Sequence, residues 1–292
     1  FKINNSNSFE FIKKLENELS DFENIRVKKN FSIIGIHDHS YLIGSENMEQ
    51  MERNSQSSIR QRLWRIRAKH VILATGAIER PLVFAGNDIP GVMLCSAALE
   101  FYKLYGVSPG DRVVVLTNND SAYSSVIELF NAGISVPLVI DVREKSDGNL
   151  PLKAKKLGIR VEFSKAISKV IGKKKVKAVE LCSVVGEGAV LETIICDSVL
   201  MSGGWTSTLN LWSHCGGKIK WDSKLNTLVP DESFPSINEF GRSFITVLGS
   251  ADGKFWPSDL FANIEKKLNI LYSELNLKKT KTIRYDIDKS IK

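Results

Sequence analysis

Lys69-His-Val-Ile-Leu-Ala-Thr-Gly76, continuing into Ala77-Ile-Glu-Arg-Pro81, is the stretch around which the rest of the chain is read. Val71 to Leu73 is a short apolar run bounded by turn residues, the pattern of a buried strand in a parallel sheet. The run ends in Ala74-Thr75-Gly76, whose small side chains let the backbone approach a ligand or a second strand closely. Pro81 lacks an N–H and restrains Arg80, so no helix continues directly from the loop. In a doubly wound sheet, ligands lie beyond the carboxyl ends of strands, the position this loop occupies.

Toward the amino end, Ser8 to Leu19 carries Phe9, Phe11, Ile12, Leu15 and Leu19 at helical spacing, with acids and lysines on the other face. Ile25–Val27, Phe31–His37 and Tyr41–Ile43 read as short strands. The polar stretch from Ser45 to Arg60 reads as a surface loop or hairpin tip, and Leu63–Arg67 carries polar and apolar residues in turn. This order, helix, meander, then the apolar run into Ala-Thr-Gly, is that of the second half of a dinucleotide-binding domain. No strand–GxGxxG–helix precedes it, so the turn that would bind a pyrophosphate is not in this chain.

Toward the carboxyl end, Ser96–Tyr105 reads as a helix and Pro109-Gly110 as a linker. Then comes a second α/β unit: strand Arg112–Leu116, loop Thr117–Asp120, a helix from Ser121 to Ala132 closed by Gly133, and strand Val136–Ile140 ending on Asp141. The length is that of a Rossmann βαβ, and an acid at the end of its second strand can bind ribose hydroxyls. Where the glycines belong, however, stands Thr117-Asn-Asn-Asp-Ser-Ala122, with a negative charge near the place of a pyrophosphate, a poor anion site. A nucleotide site here and a fold kept without its ligand both stay open, the second favoured. Leu152–Leu157 then reads as a helix and Arg160–Phe163 as a strand. A hairpin of Ala166–Ile171 and Val176–Cys182 follows, and then a single buried strand from Ile194 to Met201 ending in Ser202-Gly-Gly-Trp205. Trp205 reads equally as a ring to stack on a ligand or as a core aromatic. Phe244–Leu248 is the last strand, running into Gly249-Ser-Ala-Asp-Gly253 before an amphipathic helix, Leu260–Leu275; the lysine-rich remainder reads as a linker.

Bulk composition excludes several classes. With 292 residues, 43% of them hydrophobic and 25% charged, the chain has capacity for one large or two medium domains. A net charge of +7 invites a nucleic-acid partner, but the lysine tracts at 172–177 and 278–281 are not interleaved with aromatics, so none is expected. No apolar run approaches the roughly 20 residues that span a membrane. Cys95, Cys182, Cys196 and Cys215 include no C-x-x-C, which argues against a zinc knuckle and a redox disulfide and fits a cytoplasmic protein. His37-Asp38-His39 is read as an exposed polar strand face, and no metal is expected. The chain opens on Phe1 with no leader pattern behind it and reads as a fragment.

The Ala-Thr-Gly segment resembles that of flavoproteins with two dinucleotide-binding domains, the pyridine nucleotide–disulfide oxidoreductase group. More specifically, Ala74–Phe84, Asn87-Asp88, Pro90–Leu94, Val115–Tyr123 and Ser202–Trp205 resemble the alpha subunit of heterotetrameric sarcosine oxidase, with the Thr-Asn-Asn-Asp turn the most telling feature. The resemblance runs from about Trp64 to Ala262. It implies an α/β fold of FAD/NAD(P)-binding, Rossmann-like type with two interleaved domains, the first incomplete. The expected division is 1–93 with 197–276 for the first domain, 94–196 for the inserted second, and 277–292 for a tail.

The resemblance further implies oxidative demethylation of sarcosine to glycine. Electrons pass through flavins to oxygen, giving hydrogen peroxide, and the one-carbon unit leaves as formaldehyde or on tetrahydrofolate. NAD would sit in this subunit, FAD and FMN in the full complex with the beta, gamma and delta subunits, and tetrahydrofolate in a C-terminal domain this chain lacks. By the same resemblance Thr75, Gly76, Ala77, Gly249, Ser250 and Ala251 line the NAD site, with Glu79, Arg80, Gly204 and Trp205 as further candidates. Ser250 stands where flavin-binding relatives carry an acid, which fits a nucleotide other than FAD. No residue is an evident base or nucleophile, so no catalytic residue is named. Alternatives are a component of an opine, amine or cyanide-forming oxidase, a self-sufficient FAD/NAD(P)H oxidoreductase, and a ligand-free interaction scaffold. Alone, the fragment is expected to be inactive and prone to aggregate through an uncovered sheet edge.

Overall fold

The structure, a computed structural model, describes residues 2–3, 6–48 and 60–277. Most of the polar loop expected over 45–60, and the tail expected over 277–292, lie outside them. The chain forms two compact units: one holds the described residues up to Ala77 and from Ser207 onward, the other is Ile78–Thr206.

In the first unit, the helix Ser8–Ser20 starts at a capping box. Asn7 Oδ1 accepts from Glu10 N at 2.9 Å and the Glu10 carboxylate accepts from Asn7 N at 3.3 Å, satisfying two donors the helix itself cannot pair. Phe11 on its apolar face meets Phe261 edge-on, ring centroids 6.4 Å apart. Ile25–Val27 has no regular structure, and no strand among the described residues pairs with it. Phe31–His37, Tyr41–Asn47 and Gln61–Arg67 form an antiparallel meander in that order. His39 and Ser40 lie in its first turn at φ 60° and 55°, so the His37-Asp38-His39 run leaves the strand at His37 rather than lining its face. The strand Val71–Leu73 pairs in parallel with Ile245–Val247, in register Val71 with Ile245 and Leu73 with Val247. Ile36, Leu42, Val71, Leu73, Trp212, Phe244 and Val247 form the core beneath them. The helix Pro257–Glu274 follows, with proline in its first turn, where its missing N–H costs nothing.

The second unit is built on five parallel strands in the order Val161–Phe163, Ser135–Asp141, Arg112–Thr117, Ser198–Ser202, Val92–Leu94. Alternation along the strands sorts the core into two layers, as period-two geometry requires. Val113, Val115, Val139 and Leu200 face the helices through Tyr123, Val126 and Leu129. Val114, Leu116, Ile140, Val199 and Met201 face the opposite way, onto Ile167, Val170, Val176 and Val179 of a hairpin sheet. That sheet comprises Lys165–Gly172, Val176–Ser183 and Glu192–Ile195. Pro137 interrupts the Ser135–Asp141 ladder, where the register shifts between Ser135 and Leu138.

The apolar run from Ile194 to Met201 is two strands in two sheets, because Asp197 breaks it. Its carboxylate accepts from the N–H groups of Asp111 (3.0 Å) and Arg112 (2.9 Å), which turns the chain from the hairpin sheet into the parallel one.

Candidate functional site

Each unit presents loops at the carboxyl ends of its parallel strands, and the two edges differ in chemistry. In the first unit, the pairing of Val71–Leu73 with Ile245–Val247 brings their two following loops side by side. Leu248 N donates to Leu73 O at 2.8 Å, extending the ladder by one bond. Thr75 Oγ1 donates to Thr208 O at 2.7 Å and Thr208 N donates to Gly76 O at 3.0 Å, while Ser207 Oγ donates to Ser250 O at 2.8 Å. The Ser207-Thr208 segment therefore stitches the Thr75-Gly76 loop to the Gly249–Asp252 turn. Thr75, Gly76, Gly249, Ser250 and Ala251 thus come together in one unit, with Ala77 at its end.

Gly76 and Gly249 both have positive φ, 74° and 73°. That left-handed backbone suits glycine. A side chain built at Gly76 would meet no atom within 4 Å. The space beside the Gly76 backbone is open, as close approach by a ligand requires. Hydroxyls (Thr75, Ser250), small side chains and two glycines suit a dinucleotide. No carboxylate stands at Ser250 to bind ribose, as the sequence already showed.

The second unit's edge carries Glu79, Arg80, Gly204 and Trp205. Glu79, 5% exposed, accepts at one oxygen from Ser96 N (2.8 Å) and Ser96 Oγ (2.6 Å). It thereby caps the helix Cys95–Tyr105, a position its negative charge favours. Arg80 pairs through its backbone, N to Gly204 O at 2.8 Å, with its own O accepting from Gly203 N at 2.7 Å. Its buried side-chain Nε has no hydrogen-bond partner among the described residues. Trp205 Nε1 donates to Ser121 Oγ at 2.8 Å, tying the indole to the start of the helix Ser121–Asn131.

Beside them lies the turn that replaces a glycine-rich loop. Asn119 Nδ2 donates to Ser202 O (3.1 Å) and contacts Ser202 Oγ (3.0 Å), and Asn119 Oδ1 accepts from Ser121 N (3.1 Å) and Ser121 Oγ (2.5 Å). Asp141 is fully buried and accepts from Tyr123 Oη (2.8 Å), Arg143 N (3.1 Å), Arg143 Nε (3.0 Å) and Arg143 Nη2 (2.7 Å). Arg143 Nη2 also donates to Asp120 Oδ1 at 2.7 Å, as does Ser146 Oγ at 2.9 Å. Burial, with the adjoining Asp141 charge second, pushes the Tyr123 phenol far above its ordinary range, so it stays a donor. Burial opposes the charge on Arg143, but its bonds to Asp141 and Asp120 outweigh that and keep it a cation. Sequence reasoning missed Arg143. Its one signal was its position two residues beyond the strand-terminal acid.

Burial pushes the Cys196 thiol up to about 12 and the Cys95 thiol well above its usual range, so neither forms a thiolate near neutral pH. Among the described residues no three or more His, Cys, Asp or Glu side chains are placed to hold a metal ion, and no helix is long and apolar enough to cross a membrane. A cleft of about 200 Å³ in the first unit is lined by His70, Trp212, Ser243, Thr246, Lys267 and Glu274 and runs along the strand Ile245–Val247.

No protein-family model matches the chain. It is 32% identical over 238 residues to the sarcosine oxidase alpha subunit of Rhizobium meliloti (strain 1021), covering 81% of this chain and 23% of that protein. To its counterpart in Corynebacterium sp. (strain P-1) it is 34% identical over 223 residues, 73% of this chain and 22% of that one. The chain is a homologue of a segment of the sarcosine oxidase alpha subunit. It spans less than a quarter of the length of these relatives. A chain of the opine oxidase of Agrobacterium tumefaciens (strain Ach5) is 25% identical over 177 residues, 55% of this chain and 35% of that protein.

Solved structures share the fold. Among them, thioredoxin reductase from T. acidophilum has TM-score 0.64 and 17% identity, covering 91% of this chain and 81% of that one. L-proline dehydrogenase from P. horikoshii has TM-score 0.55 and 22% identity, covering 93% and 48%. The expected FAD/NAD(P)-binding, disulfide-oxidoreductase-type α/β fold is thus the fold the chain has.

Proposed function

We propose that the chain is the nucleotide-binding scaffold of a sarcosine-oxidase-type alpha subunit, and that NAD binds at the carboxyl edge of the first unit's parallel strand pair. The observation that carries this is the joined pair of loops in which Gly76 leaves open space next to backbone and Gly249 turns left-handed. Ser250 supplies a hydroxyl for ribose or phosphate oxygens, Thr75, whose proton goes to Thr208 O, offers an acceptor to a ribose hydroxyl, and Gly76, Ala77 and Ala251 admit close approach. When bound, NAD would supply a nicotinamide and an adenine nucleotide. The residues here bind and orient it and offer no acid or base.

In the complete complex, the proposed reaction is oxidation of sarcosine to glycine with reduction of oxygen to hydrogen peroxide. The one-carbon unit is released as formaldehyde or passed to tetrahydrofolate, and FAD, FMN and the other subunits carry the electron transfer. The similarity to the opine oxidase chain supports a second reading, in which the amine is an opine and a partner protein selects it. Hydrogen peroxide production from sarcosine and from opines by the assembled enzyme separates the two.

NAD titration of the natural full-length protein, followed by calorimetry, tests the site itself. The expected result is saturable binding that Gly76→Val weakens at least tenfold while the melting temperature stays within a few degrees. Binding left unchanged by Gly76→Val would move the nucleotide elsewhere, and no binding at all would leave a ligand-free scaffold.

A further inference from the structure

A parallel sheet of the second unit's topology offers a dinucleotide crevice where the strand order reverses, here between the loops after Thr117 and Ser202. Three things make such a crevice work: free backbone N–H groups for the pyrophosphate, an acid for the ribose, and room between the two loops. This unit has turned four of those N–H groups, the acid and the crossing point onto itself.

The N–H of Asn118 donates to Ser202 O (3.3 Å), that of Asn119 to Thr117 Oγ1 (3.1 Å), that of Ser121 to Asn119 Oδ1 (3.1 Å) and that of Tyr123 to Asp120 O (3.1 Å). The Asn119 amide crosses the reversal point to Ser202, where a ligand would pass. Asp141, the acid in the ribose position, has no exposed surface and is held by Tyr123 and Arg143. A free Arg143 would suit a 2′-phosphate, but it already serves two carboxylates, Asp141 and Asp120. Within this network two carboxylates face one guanidinium, so Arg143 has no charge to spare for a phosphate.

We infer that the second unit's dinucleotide crevice is closed by the Asn119–Ser202 bridge and the Asp120–Arg143–Asp141–Tyr123 network, so that this unit binds neither NAD(H) nor NADP(H). The network takes the ligand's place as the part that joins the strand ends. A nucleotide site in the protein then belongs to other loops. This conclusion concerns only the second unit and stands or falls separately from the NAD site proposed above.

Amide hydrogen exchange of the full-length protein, with and without millimolar NADH or NADPH, reads the two places independently. Residues 118–123 and 141–146 are expected to be protected without nucleotide and to change less than twofold on its addition, whatever happens at 74–77 and 248–252. Arg143→Met is expected to speed exchange over 118–123 at least tenfold without releasing bound nucleotide. New protection of tenfold or more over 118–123 or 141–146 on adding either nucleotide would overturn the inference. So would loss of bound nucleotide from a folded Arg143→Met protein.

Discussion

The two strand edges are built from the same fold grammar and have opposite chemistry. At the first, Thr75-Gly76 and Gly249–Ala251 keep glycine, small residues and free space, and their hydrogen bonds run through the neighbouring Ser207-Thr208 rather than across the opening. At the second, asparagine and aspartate replace the glycines; Asn119 donates to Thr117 and Ser202, and its Oδ1 accepts from Ser121. A strand-terminal loop is therefore informative only when its polar groups are counted. The same position in the same fold is a binding edge when donors are spare and a structural joint when they are not.

Perturbing the closed edge should cost folding stability, and perturbing the open one should cost ligand affinity. The largest effect is expected for Arg143→Met, which strands the fully buried Asp141 carboxylate beside Tyr123; leaving one partner of a buried ion pair costs about 3 kcal/mol. Urea titration should show it as a lower midpoint, and a change below about 0.5 kcal/mol would mean that Asp141 is not dependent on Arg143.

Gly203→Ala comes next. A Cβ there would lie 2.9 Å from Pro81 O and 3.0 Å from Arg80 O, both backbone atoms, and such overpacking costs roughly 1–3 kcal/mol. Asn119→Ala removes the bridge to Ser202 and should cost about 1 kcal/mol, the worth of a buried hydrogen bond. A thermal melt of each variant beside the wild type checks both values. At the open edge, Gly76→Ala meets no atom and is strained only by its φ of 74°, about 1 kcal/mol. Its expected signature is a shift in the NAD titration.

The smallest effect is in pH. Burial lowers the pKa of His70, with Glu274 opposing, while its Nε2 hydrogen-bonds with Thr246 Oγ1 at 2.8 Å. The unfolded chain therefore takes up a proton at higher pH than the folded one. This contribution is fully present above pH about 6.5 and is lost as pH falls below it toward the lowered folded value. Because the ring is half-exposed, the drop should be a fraction of a kcal/mol. His70→Gln should flatten the stability profile over that range, and an unchanged profile would assign the pH dependence to other groups.

Much of this was legible in the sequence. The strand at Val71–Leu73, the βαβ from Arg112 to Asp141, the hairpin across the lysine tract and the long carboxyl-side helix follow from periodicity and turn residues. Ile25–Val27 misled because β-branched residues report a preference for extended backbone while the partner strand is decided by tertiary pairing. The run 194–201 hid a break because Asp197 acts through two N–H groups 85 and 86 positions away. Arg143 was missed for the same reason: its partners, Asp120 and Asp141, meet only once the sheet is formed. The Thr75–Gly249 neighbourhood was expected from family resemblance, and its stitching by Ser207 and Thr208 was not.

The most direct measurement is to denature the purified full-length protein and count the nucleotide released per chain by chromatography and mass spectrometry. One dinucleotide per chain is the predicted result, with the first unit open and the second closed. None would contradict the open edge, and two dinucleotides bound within these two units would contradict the closed one.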